Sequence, residues 1–136
     1  MKIAIRPALL IQKEGRFLTM QYTYNGQKLY NLPGGNVDFG ESLVQVLQRE
    51  MMEELQIKVT IGEMLCIGET IRENKQTIHV IFEGAITEGD PTLNPVETSA
   101  EYIVWLTFEE LKAVSMYPSV ASILEKRLEG KLTDAY

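Results

Sequence analysis

One amphipathic helix set among strand-like segments restricts the fold more than any other feature of this chain. Ser42 is followed three positions later by Gln45, a capping-box pattern in which side chains satisfy the free backbone groups of a helix start. From Leu43 to Leu55 the apolar residues recur at helical spacing. At about 100° per residue Val44, Leu47, Met51 and Leu55 fall on one stripe, which is predicted to face a core. A stripe of that kind needs an apolar sheet or helix to lie on.

The flanking sequence supplies a sheet. Ile3 to Gln12 and Arg16 to Tyr24 read as strands separated by Lys-Glu-Gly, and Asn25-Gly26 marks a hairpin to a third strand, Gln27 to Leu32. Pro33-Gly34-Gly35 ends that strand. After the helix, Lys58 to Ile67 and Gln76 to Thr87 are rich in β-formers, and Glu101 to Leu106 is a further strand beyond a proline-containing loop. Thr107 and Glu110 form a second capping-box pattern opening a short helix over residues 108–114. A last amphipathic helix is predicted from Pro118 to Gly130, with Val120, Ile123, Leu124 and Leu128 on one side. This order predicts an α/β or α+β sandwich, a mixed sheet with helices on both faces, in which residues 1–136 form a single domain.

Composition narrows the function classes. No apolar run approaches the roughly 20 residues of a membrane-spanning helix, and the N-terminal run carries Arg6 and Pro7 inside it, as a strand and not a signal peptide would. A net charge of -6 argues against partnership with a nucleic-acid polymer or an anionic membrane, while leaving room for an anionic small molecule held by a local cation. The one cysteine, Cys66, excludes an internal disulfide, fits a cytoplasmic location and reads as a core residue.

The helix also carries an unusual charge cluster. Glu50, Glu53 and Glu54 stand at i, i+3 and i+4 and share a face, at a cost of about 0.2–0.5 kcal/mol per like-charge pair. Arg49 is the i+4 partner of Glu53 but cannot neutralise three carboxylates. The glutamates border the apolar stripe instead of lying opposite it. Two readings stand: a solvated face with incidental salt bridges, or a site for a hard divalent cation, since Mg²⁺ and Mn²⁺ prefer oxygen ligands. Gly34 and Gly35 just upstream suit either a tight connection or the close approach of a ligand, and Glu41 at the mouth of the helix can fold back to join the cluster.

These residues carry a resemblance to the MutT-like Nudix hydrolase family. That family's signature runs Gly, five residues, Glu, seven residues, then Arg-Glu-apolar-x-Glu-Glu-x-Gly-apolar. Here Gly35 is followed by Glu41 and then by Arg49 to Ile57 at the same spacings. The single departure is Gln56 in the place of the last glycine. That glycine closes the helix in a left-handed conformation, so the departure touches helix termination and not the acids.

The resemblance implies a Nudix-type α/β/α sandwich with a mixed β-sheet between helices. It also implies hydrolysis, with Mg²⁺ or Mn²⁺, of the pyrophosphate bond in a nucleoside diphosphate linked to another group: a nucleoside triphosphate, ADP-ribose or a nucleotide sugar. By the same carry-over, Glu50, Glu53 and Glu54 are metal ligands with Glu97 from the later loop, or Glu101 in its stead. Glu53 and Glu50 carry the catalysis, and Arg49 orients a glutamate. Gly34, Gly35, Glu41 and Arg6 belong to the substrate side, and a homodimer is the expected assembly. Tyr22, Tyr24 and Tyr30 suit either base stacking or sheet packing; Arg72 suits either a phosphate or solvent. His79 reads as a strand-face residue, Trp105 as core, Met51 and Met52 as helix packing. The alternative function is a catalytically weak Nudix-like module that binds a nucleotide and regulates another process.

Overall fold

The computed structural model describes residues 2–116 together with Glu125. The strands are Lys2–Lys13 (β1), Arg16–Tyr24 (β2), Gln27–Asn31 (β3), Lys58–Arg72 (β4), Lys75–Glu88 (β5) and Tyr102–Leu106 (β6); the helices are Leu43–Leu55 (α1) and Phe108–Ala113 (α2). Both β-turns of the N-terminal meander place consecutive residues at positive φ, Glu14-Gly15 and Asn25-Gly26, the backbone that joins twisted antiparallel strands by two residues. The last predicted helix lies outside the described residues, apart from Glu125, which is helical.

The sheet is mixed, with the order β3-β2-β1-β5-β4 and β6 paired to β2. β1 and β5 run parallel over ten residue pairs, whereas every other strand pair is antiparallel. β1 pairs with β2 only beside their turn, so its remaining edge is free to receive the glycine loop: Leu9 N–H donates to Pro33 O, Gly35 N–H to Pro7 O and Val37 N–H to Ile5 O. That seam fixes the loop against the sheet.

Strand alternation divides the core between two faces. Leu9 and Ile11 pack with Leu47, Met51 and Leu55 of α1, while Ala8 packs with Leu111 of α2, so the two helices cover opposite faces as the sequence implied. The stripe on α1 is shifted from expectation. Val46 is buried and Val44 is 41% exposed, and Met52, expected to pack, is exposed beside the buried Met51. The contact of α1 with the sheet is centred on Leu47, Met51 and Leu55, which leaves Val44 at its rim.

Trp105 is half-buried against the α1 core, Cys66 half-buried against the α2 core. β4 extends past its expected end at Ile67 to Arg72 because its pairing with β5 continues to the turn before Lys75. His79 is buried, with Nε2 2.9 Å from Thr70 Oγ1, and burial pulls its pKa down to about 4.

Candidate metal centre

The glycine loop and α1 meet where the charge cluster lies. Ser42 caps the helix as predicted: its side chain accepts from Gln45 N–H at 3.1 Å, and its own N–H donates to Gln45 Oε1 at 2.8 Å. This start sets the phase of the helix, and so the direction of the three glutamates two turns later. At the other end Gln56 takes the left-handed conformation expected of a glycine, φ 57° and ψ 40°. Its N–H bonds Met52 O at 3.1 Å, and its side-chain Nε2 donates to Thr92 O at 3.3 Å. The helix therefore ends where a glycine would end it.

Arg49 organises the acids. Its Nε and Nη2 donate to the two carboxylate oxygens of Glu41 at 2.8 and 2.9 Å, a two-point grip that only a guanidinium can make. Its Nη1 donates to Glu50 and Glu53, both at 3.1 Å, and Asp38 lies 3.8 Å from Nη2. Hydrogen bonding from Arg49 holds the Glu41 carboxyl below its ordinary range and raises the guanidinium's own pKa. One arginine thus joins the loop acids to the helix acids.

Glu54 stands outside that grip. Burial first, then the charge of Glu50 and a hydrogen bond between the two carboxyls, push its pKa up to about 8. Neighbouring carboxyls raise the cost of ionising one another, a cost that a divalent cation would offset; among the described residues no three acidic, histidine or cysteine side chains already stand as a complete ligand set.

The glycines earlier in the loop are sites of close approach. A Cβ on Gly35 would meet the Glu50 carboxyl, and one on Gly34 would run into Pro7 O and Ala8. Neither position has room for a side chain.

Other expected site residues are spread more widely. Arg6 is turned inward: Nη2 donates to Leu32 O at 3.1 Å, and Nη1 is buried without a partner in the described structure. Desolvation lowers its pKa, opposed by the charges of Tyr22, Glu54 and Glu50, which places it beside the acid cluster. Tyr22 is half-buried with Thr98 and Asn31 beside its hydroxyl, while Tyr30 donates to Gln21 at 3.0 Å and Tyr24 is exposed. Glu97 and Glu101 are exposed; among the described residues neither makes an ion pair with the helix. The Glu97 loop is nonetheless tied to α1, since Asn94 N–H donates to Glu54 O and Thr92 N–H to Leu55 O, both at 2.9 Å.

Sequence reasoning missed Asp38, Asn31 and Thr98. Asp38 was open to discovery as an acid three residues before Glu41. Thr98 and Asn31 were not, because their meeting with Tyr22 depends on loops far apart in sequence.

The fold and site define a class, a mixed-sheet α/β sandwich in which a glycine loop presses on an arginine-tied acidic helix. A model of the NUDIX domain matches residues 2–126, and the chain belongs to that family. It is a Nudix pyrophosphohydrolase. The chain is 28% identical over 109 residues to phosphatase NudJ of Escherichia coli K12, an alignment covering 79% of this chain and 71% of that protein. It is similar in structure to the Escherichia coli ORF135 protein, with a TM-score of 0.74 at 27% identity, over 92% of this chain and 88% of the other. The MutT protein of Methanosarcina mazei Go1 shares the fold at a TM-score of 0.81 and 23% identity, with 95% of each chain covered.

Nudix enzymes act on small-molecule nucleotides and generally use divalent metals. No helix among the described residues is long and apolar enough to cross a membrane.

Proposed function

We propose that this enzyme hydrolyses the pyrophosphate bond of a nucleoside diphosphate linked to another group, using Mg²⁺ or Mn²⁺ held by Glu50, Glu53 and Glu54, with Glu97 completing the set from its tethered loop. The observation that carries this reading is the close approach of Gly35 to the Glu50 carboxylate, on a helix whose Glu50 and Glu53 are held together by Arg49. When bound, the metal neutralises the phosphates and lowers the pKa of a coordinated water.

The chain's own residues do the rest. Gly34 and Gly35 clear the space beside Glu50, and Arg49 holds Glu50, Glu53 and Glu41 in register. Glu53 accepts the proton of the attacking water as its oxygen bonds to phosphorus and the bridging P–O bond breaks. Arg6, with Nη1 unbonded, supplies the buried cation on the substrate side. The protein works as one domain in the cytoplasm.

The test is a panel of nucleoside triphosphates, ADP-ribose and nucleotide sugars with Mg²⁺, scored for release of nucleoside monophosphate or phosphate. Turnover on one class identifies the substrate. Tight binding without turnover across the panel would refute this proposal and favour a nucleotide-binding regulatory role.

A further inference from the structure

Gln56, where the signature has glycine, is held at φ 57°, a conformation in which a side chain costs roughly 1–2 kcal/mol. Strain kept at such a position points to a task for the side chain.

The last carbonyls of a helix have no partner within it. In α1 those of Glu54 and Leu55 are taken up by the loop between β5 and β6, through Asn94 N–H and Thr92 N–H, each at 2.9 Å. The loop also starts against this helix end: Gly89, at φ 91°, runs so close that an added Cβ would stand 3.0 Å from Gln56 O. Further along, Leu93 and Ala100 pack on the core that α1 shares with the sheet.

Those backbone bonds can form with any residue at position 56. The side chain adds a link in the opposite sense. Gln56 Nε2 donates to Thr92 O at 3.3 Å, while Thr92 N–H donates to Leu55 O. Thr92 is thus held on both sides of its Cα, and a segment fixed at two points cannot pivot freely about either.

From Thr92 the order runs on to Glu97. Asn94 Oδ1 accepts from Val96 N–H at 3.2 Å, and Asn94 O accepts from Glu97 N–H and Thr98 N–H, both at 3.0 Å. Thr98 is buried beside Tyr22, and Glu101 N–H donates to Gln21 O at 2.8 Å, which anchors the far end of the loop on β2. Glu97 lies exposed between the two anchorages.

We propose that Gln56 is a positioning residue: through Thr92 its side chain steadies the loop that carries Glu97 toward the acidic helix, a link that glycine cannot make. This rests on the reading of Glu97 as the acid that completes the metal set. Strain at the helix end is offset by order in the loop, so less freedom is lost when Glu97 is drawn to a cation.

Hydrogen exchange on the metal-free full chain tests the link directly. In Gln56→Gly, and in Gln56→Met, which keeps the length and removes the donor, the amides of Asn94, Glu97 and Thr98 should exchange about three- to tenfold faster, the range that one hydrogen bond spans. Those of Leu47 and Met51, inside α1, should not change. With substrate, the Mg²⁺ concentration for half-maximal rate should rise by a similar factor, and the rise should disappear when Glu97→Gln is already present. Unchanged exchange in both variants, or in Gln56→Met alone, would overturn the proposal. So would a raised Mg²⁺ requirement that persists undiminished beside Glu97→Gln. Exchange is read without metal or substrate, so a protein that turns over nothing would refute the hydrolase reading while the Gln56–Thr92 link is still decided.

Discussion

Gly35 and Glu50 touch so closely that one added carbon cannot fit between them: a Cβ on Gly35 would stand 2.5 Å from Glu50 Cδ and 2.6 Å from Oε1. Gly35→Ala should therefore move the carboxylate, not unfold the protein. A displacement on the order of 1 Å at a reacting centre costs about 10²-fold in rate. Turnover with Mg²⁺ should fall by about that factor, while the thermal midpoint changes little. A variant with unaltered kinetics would show that Glu50 need not hold its position.

Arg49→Lys preserves the charge but not the two-point grip on Glu41. A lysine cannot span Glu41, Glu50 and Glu53 together, so the acids lose their common anchor. Groups that orient metal ligands are typically worth 10–100-fold in affinity or activity, and a loss of about that size is expected in turnover and in the Mg²⁺ concentration for half-maximal rate. Equal kinetics for Lys and Arg would mean that charge alone matters here.

Stability of the metal-free protein should depend on pH through Glu54. Its pKa is raised from 4.5 to about 8 by burial and by Glu50, so between those values the folded chain holds a proton that the unfolded chain has released. The contribution is full below about pH 4.5 and is lost as pH rises through about 8. With chelator present, Glu54→Gln should melt close to the unmodified protein near pH 5 and a few degrees above it near pH 8.5. Parallel melting curves at both values would contradict the raised pKa.

Gln56→Gly should stabilise the fold. The residue sits at φ 57°, where a side chain costs roughly 1–2 kcal/mol, and the exposed 3.3 Å bond to Thr92 O returns only part of that. Urea unfolding should show a gain of about 0.5–1 kcal/mol with an unchanged slope. A loss would show that the Gln56–Thr92 link matters more than the backbone strain.

Much of this molecule could be read locally. The boundaries of α1 follow from Ser42, Gln45 and the break after Leu55, and the start of β2 and the Asn25-Gly26 turn follow from short-range pattern. The three glutamates and Arg49 were grouped by spacing, because a helix fixes which side chains share a face, while Gly35 and Glu41, outside the helix, were joined to them by the family resemblance. The burial of Val46 in place of Val44 was not legible, since the arc of α1 that is covered depends on which segments, distant in sequence, pack against it.

What the sequence determined by itself was the set of chemical groups and their order: a glycine loop, a capped helix and acids at its border, all consequences of interactions a few residues long. Tertiary structure alone decided which groups act on one another. It turned Arg6 inward to Leu32, brought Thr98 to Tyr22 and pressed Gly35 on Glu50. Those contacts join separate segments through packing and desolvation, and none of them exists until strand, loop and helix have come together.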